Sequence, residues 1–137
     1  AAVRAVAADT PPTVTHKLMP FRDRLVACME TPYFQERFDN LMALKDSDEP
    51  FLKRVGEGTS HGAPGSAFAV MSFFQRVRHA SLRECLDAEL TLSMNMLEHG
   101  DFREGVRALL VDKDRNPQWA FGAIRDIDLG WIAKILP

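Results

Sequence analysis

The sequence is poor in the residues that usually announce chemistry. Cysteine occurs only twice in 137 residues, at Cys28 and Cys85. Two thiols cannot build a disulfide framework, and in helical context they serve as small core residues of a reducing compartment. Four histidines (His16, His61, His79 and His99) have no cysteine or carboxylate partners at metal-ligand spacing. A formal net charge of -2 excludes the basic surface that phosphate neutralisation demands, so nucleic acid is not an expected partner. No apolar run approaches the ~20 residues of a membrane span. Sustained period-two alternation, the mark of a half-buried strand, is missing as well. Gly56-x-Gly58 lacks the strand and helix that a phosphate-cradling loop needs. Ser60-His61 lacks both an orienting acid and a nucleophile elbow.

What remains is an ordinary globular composition, 46% hydrophobic and 26% charged, at a length that suits one domain with a real core. The pattern predicts an all-α fold of about six helices. Residues 1–20, beginning AAVRAVAADTPP, are Ala- and Arg-bearing and acid-poor; they read as a linker or disordered segment ahead of a helical domain over 21–137. Phe21 to Glu30 has Leu25, Val26 and Met29 at helical spacing. Thr31-Pro32 predicts the next start, with Thr31 as N-cap, ahead of an apolar stripe of Phe34, Phe38, Leu41 and Met42. A short amphipathic turn, Phe51 to Val55, leads into an expected flexible loop from Gly56 to Gly65. Ser66 to Ala80 is apolar almost all round, which predicts a central helix buried on most faces.

Ser81-x-x-Glu84 is a capping box opening a further helix, which Gly100 is expected to close in a left-handed C-cap. At about 100° per residue, Leu82 to Leu97 divides into a polar and an apolar arc. Glu89 and Ser93 fall inside the apolar arc. A carboxylate there must be paired if buried, and Arg107 in the following helix is the expected partner, a structural rather than catalytic role. Asp101-x-x-Glu104 reads as a second capping pair, with Phe102, Val106, Leu109 and Leu110 facing inward. Gly105, just inside that helix, is costly there unless something approaches closely. Asp126 or Asp128 is placed to cap a last helix carrying Ile127, Trp131 and Ile135.

The run from Ser81 to Trp119 carries more than secondary structure. Asp101-Phe-Arg-Glu104-Gly105-Val-Arg107-Ala, then Asp112-Lys113-Asp114 and Pro117-x-Trp119, resembles the carboxyl-terminal signature of the 3-hydroxyisobutyryl-CoA hydrolases, of the crotonase (enoyl-CoA hydratase/isomerase) superfamily. The likeness extends more weakly from about Pro20 to the end. It departs at Ala63-Pro64, where the family usually has Ser-Pro, at Phe68 in place of a basic residue, and at Leu90-Thr91-Leu92 in place of Tyr-Arg-Leu.

The resemblance implies the helical tail of an enzyme whose α/β catalytic core lies outside this chain. No catalytic residue is then expected here. That core would hold an acyl-CoA thioester between two backbone N–H groups, hydrolyse it in valine breakdown, commonly in mitochondria, and need no permanent cofactor. The resemblance also places the adenine end of CoA near this region, with Lys113 and Arg115 as candidate phosphate contacts. Two other readings stand beside it: a non-catalytic scaffold in a larger assembly such as a mitochondrial ribosome, and an enoyl-CoA hydratase or isomerase. A tail without its core exposes apolar surface, so self-association is expected, first as a homodimer.

Overall fold

A computed structural model of the chain describes residues 18–137, so nearly all of the expected 1–20 linker lies outside the described residues. Among the described residues there is no strand, and seven helices account for the regular structure: α1 (Arg22–Met29), α2 (Phe34–Ala43), α3 (Pro50–His61), α4 (Pro64–Val77), α5 (Leu82–His99), α6 (Phe102–Val106) and α7 (Leu129–Ile135). Short 3₁₀ turns precede α1 and follow α2, and α6 widens into a π turn over Arg107–Val111. No described helix is long and apolar enough to cross a membrane.

The apolar side chains gather in two clusters. Cys28, Leu44 and Leu52 are buried among Phe21, Leu25, Leu41, Phe51 and Val55, which joins α1, α2 and α3. Ala69, Leu92, Trp131 and Ile135 are buried among Phe68, Phe73, Met96 and Phe121, which joins α4, α5 and α7. Ile135 is fully enclosed, a burial worth roughly 1.5–3 kcal/mol. Phe34 of α2 meets Phe68 of the second cluster edge-on at 5.4 Å. Both cysteines are free. Cys28 also sits in a reciprocal contact with Asn40, whose Nδ2 donates to the Cys28 carbonyl at 3.3 Å.

Two of the predicted caps hold. Ser81 Oγ accepts from Glu84 N while Glu84 Oε2 accepts from Ser81 N at 2.7 Å. Asp128, rather than Asp126, caps the last helix, accepting from Trp131 N at 2.8 Å. Elsewhere the structure corrects the sequence reading. Helix α2 begins two residues beyond Pro32, with Tyr33 at the N-cap position; Thr31 Oγ1 instead accepts from Tyr33 N at 3.3 Å and bonds Glu36. Gly100 has φ -102°, so it is not left-handed, and its N–H simply closes on Met96 O at 3.0 Å. Asp101 makes no cap bond to its own helix.

The expected flexible loop is mostly helix: α3 runs through Gly56 and Gly58 to His61. The reason is close approach. A Cβ on Gly56 would fall 1.9 Å from Lys45 N, so the helix lies directly on the backbone of the Leu44–Asp46 turn. Helix α4 is buried only over its first half. Pro64, Gly65 and Ala69 are enclosed, but Val70 and Phe74 are exposed. All-round apolarity therefore overstates its burial among the described residues.

These two glycines separate packing from propensity within one helix. Gly56→Ala should destabilise the chain by ~3 kcal/mol or more, because backbone must move to admit the methyl. Gly58→Ala, with nothing within 4 Å of the added Cβ, should stabilise it by up to ~1 kcal/mol. Urea unfolding of both variants checks the contrast; equal effects would refute it.

Candidate functional site

A cleft of about 770 Å³ opens between the end of α3, the start of α4, α6 with its π turn, and the strap that follows. Ser60, His61 and Ser66 border one side, Phe102, Val106, Leu109 and Leu110 the other, and Arg115, Asn116, Pro117 and Trp119 close it. This explains a second correction. Phe102, Leu109 and Leu110 do not face the core; they are exposed and turn toward the cleft.

The strap is held by one guanidinium. Arg107 Nε and Nη2 donate to both oxygens of Glu104, at 2.8 and 2.7 Å. Its Nη1 donates to Asp112 Oδ2 at 2.5 Å and to Asp114 Oδ2 at 2.7 Å, and Nη2 also reaches the Asn116 carbonyl at 3.3 Å. Glu104 Oε1 in turn accepts from Gln118 N at 2.7 Å. The side chains of Arg107 and Glu104 are 33% and 23% exposed, so solvent screens this network only in part.

The network stabilises a conformation that side chains rarely adopt. Lys113 and Arg115 have φ of 57° and 54°, left-handed values costing ~1–2 kcal/mol per non-glycine residue. Asp112 N bonds back to Arg107 O at 2.8 Å, closing the π turn, and Arg115 N returns to Ala108 O at 3.0 Å. Asp114 Oδ1 accepts from Asn116 N at 2.9 Å. The Asp112 to Arg115 run, which reads as a solvated turn in sequence, is thus a folded clasp. Its geometry brings Arg115 to the cleft, but Lys113 is not among the residues that border it.

Asp101 is the buried acid. Only 6% of it is exposed. Its Oδ1 accepts from Ala120 N at 2.9 Å, while Oδ2 has no partner among the described residues. That oxygen lies beside the first turn of α4, 3.3 Å from where a Cβ on Gly65 would stand. Ala63 supplies no capping hydroxyl there, and a carboxylate beside a helix N-terminus opposes the positive end of its dipole. Gly65 is needed for space, since its Cβ would also meet the Trp131 ring at 3.1 Å. Gly105 is less constrained: Trp119 lies over it, but an added Cβ would stand 3.4 Å from the ring, an ordinary contact.

Glu89 does not meet Arg107. It is exposed and makes no ion pair among the described residues, and the arginine is fully engaged by closer acids on its own turn and strap. The apolar arc on which Glu89 lies is itself largely uncovered: Leu82, Leu86, Leu90 and Leu97 are exposed. Ser60 and His61 border the cleft, and Ser60 Oγ lies 3.3 Å from His61 Nδ1. Both are committed to the Glu57 carbonyl, to which Ser60 Oγ donates at 2.8 Å and His61 Nδ1 at 2.7 Å, so Nδ1 is a donor there and does not serve the hydroxyl as a base. Among the described residues no cluster of His, Cys, Asp and Glu could hold a metal ion.

The sequence reading missed the two indole ties. Trp119 Nε1 donates to His61 O at 3.1 Å, and Trp131 Nε1 donates to His99 O at 3.0 Å. Only the rule that a buried indole N–H seeks an acceptor hinted at them.

This helical architecture is that of the crotonase-type enzymes. It superposes on an enoyl-CoA hydratase from Rhodobacter sphaeroides 2.4.1 with a TM-score of 0.75, covering 98% of this chain and 40% of that one at 24% identity. A family model described as Enoyl-CoA hydratase/isomerase matches residues 1–136, and the chain belongs to that family. Among curated relatives, the mitochondrial 3-hydroxyisobutyryl-CoA hydrolase of Dictyostelium discoideum is 39% identical over 95 residues, 69% of this chain and 24% of that protein. The human mitochondrial 3-hydroxyisobutyryl-CoA hydrolase is 27% identical over 105 residues, 77% of this chain and 26% of that protein. The 3-hydroxyisobutyryl-CoA hydrolase-like protein 5 of Arabidopsis thaliana is 32% identical over 89 residues, 63% and 23%. The chain spans about a quarter of the length of the curated relatives it matches.

The clasp sets an acid limit. Bonds from Arg107 and from the Gln118 N–H hold the Glu104 carboxyl at about 2, against an ordinary 4.5. The Arg107 guanidinium and the Asn116 N–H lower Asp114 too. A depressed carboxyl contributes stability in full above its unfolded value and loses it as pH falls toward the folded one. The thermal midpoint should therefore drop between pH 4.5 and about 2, and Arg107→Gln should flatten that part of the profile. An unchanged slope in the variant would show that the acids hold the strap without the arginine.

Proposed function

We propose that the chain is the helical, pocket-closing part of a 3-hydroxyisobutyryl-CoA hydrolase-like thioesterase that works in mitochondria, as the names of the Dictyostelium and human relatives suggest. One observation carries this reading. The residues that carry the resemblance, Asp101, Glu104, Gly105, Arg107, Asp112, Asp114 and Trp119, are those that build and brace one wall of the cleft.

Hydrolysis of a thioester needs donors aimed at the developing oxyanion and a group that activates water. Those belong to the α/β core that the resemblance implies. The part played by this chain is shape and charge. Phe102, Val106, Leu109 and Leu110 offer an apolar surface to an acyl or pantetheine chain, and Arg115, turned to the cleft by the clasp, meets a phosphate of CoA; Lys113 stands outside the cleft as a weaker contact. No permanently bound cofactor is required. Uncovered apolar surface makes the chain self-associate when it stands alone.

The test joins this chain to the α/β part of the Dictyostelium hydrolase in place of the matching segment. CoA release from 3-hydroxyisobutyryl-CoA should be absent with the chain alone and restored in the chimera. Arg115→Ala should then raise KM for the thioester several-fold with little change in kcat, the mark of lost ground-state binding. Thiol release by the chain alone overturns the reading, and a folded but inactive chimera favours a scaffold.

A further inference from the structure

Beside the cleft lies a smaller hollow of about 240 Å³. Ser60, Gly62, Pro117 and Trp119 border both, so the two spaces meet at these residues. The rest of the hollow is apolar: Phe38 and Met42 come from α2, Pro64 from the start of α4 and Phe121 from the strap. Among the shared residues, Trp119 spans the gap between the strap and the helices. One edge of its ring lies against α6, where Cη2 stands 3.4 Å from the position a Cβ on Gly105 would take. The pyrrole edge is tied to the end of α3, with Nε1 donating to the His61 carbonyl at 3.1 Å. The indole is thus a bar fixed at two points, and it stands between the cleft and the hollow.

We infer that Trp119 is a specificity-determining residue: its ring ends the cleft and limits the length of the acyl chain that enters. The inference rests on the proposed function and adds to it the size class of the acyl group, short rather than long. The chemistry of the hollow selects hydrocarbon over the amides of pantetheine or a purine base. Its two polar side chains are already used within the chain: Ser60 Oγ donates to the Glu57 carbonyl at 2.8 Å, and Gln118 Nε2 to the Asn116 carbonyl at 3.3 Å. A group rich in nitrogen and oxygen would lose its bonds to water there without replacement, a cost that an alkyl chain does not meet. Removing the ring joins the hollow to the cleft. Each further methylene then buried should raise affinity roughly fourfold.

The test compares straight-chain acyl-CoAs from butanoyl to decanoyl. In the chimera described above, Trp119→Ala should shift kcat/KM toward octanoyl-CoA, relative to butanoyl-CoA, by roughly tenfold or more. Trp119→Phe loses the N–H bond but keeps a ring in place, and it should retain the original preference. Adding Met42→Trp to Trp119→Ala refills the hollow from α2 and should return the preference to short esters, which a general loosening of the fold would not do. Three results each overturn the inference: equal length profiles for the unaltered chimera and Trp119→Ala, a shift as large in Trp119→Phe, or no return in the double variant. If Trp119→Ala does not fold, Trp119→Leu should show the same shift in smaller measure, and no shift overturns the inference.

Calorimetric titration of the isolated chain with the same esters separates this inference from the reading it rests on. Affinity should climb with length beyond butanoyl only when the ring is removed. That outcome beside a chimera that releases no CoA refutes the proposed function alone. Equal dependence on length with and without the ring, or no binding of octanoyl-CoA by Trp119→Ala, overturns the role given to Trp119.

Discussion

The Arg107 guanidinium is the constraint on which the cleft depends. Glu104, Asp112 and Asp114 all direct carboxylates at it, and without the cation three like charges would share a small space beside two left-handed residues. A lysine could supply the charge but not the fork: Arg107 engages Glu104 through two nitrogens and uses a third for the aspartates, a geometry that a single ammonium does not match. The sequence spacing makes this possible. Glu104 and Arg107 are neighbours at i and i+3 on one helical turn. The π turn then redirects the chain so that Asp112 and Asp114 return to the same cation. Position along the chain becomes a wall, and the wall fixes where Arg115 stands.

The helices have more apolar surface than they can bury against one another. Leu109 and Leu110 turn into the cleft, Leu86 and Leu90 lie on an uncovered stripe, and Phe74 projects from the exposed half of α4. Helix α5 has apolar residues on both faces, Leu92 and Met96 on the inner one and Leu82, Leu86 and Leu90 on the outer one. The two faces also differ in polarity: the inner one carries Asn95, which donates to the Ile135 carbonyl at 3.1 Å, while the outer one carries Glu89, which has no ion pair among the described residues.

Local signals were legible in the sequence, and spatial ones were not. The Ser81 capping box and the Asp128 cap each need only residues three apart, so chain order suffices to predict them. The all-helical class followed from periodicity for the same reason. Gly56 and Gly58 suggest a loop because glycine disfavours helix, and only the contact with the Lys45 backbone shows why one of them is tolerated within α3. The partner of Glu89 was misplaced because an apolar arc was equated with a buried one. A helical wheel tells which residues share a face, not whether anything covers it. Arg107 was recognised as a structural cation, but its partners lie within its own turn and strap, where three acids bring their oxygens close.

Those short separations bear on how the site is assembled. Every ion pair of the clasp joins residues no more than seven positions apart, and the farthest bond, from Gln118 N to Glu104, spans fourteen. Loops of that size close at less entropic cost than long ones, so the clasp is held by contacts local in sequence. The strap is tied to the opposite side of the cleft by longer reach, through Trp119 to the His61 carbonyl, fifty-eight residues away. Trp131 ties α7 to the end of α5 through the His99 carbonyl, thirty-two residues away, and lies in the core rather than at the cleft. Charge therefore sets the local shape of the wall, while the Trp119 indole sets its distance from α3. A substitution in the clasp alters what the wall presents; a substitution at Trp119 alters how wide the cleft stands.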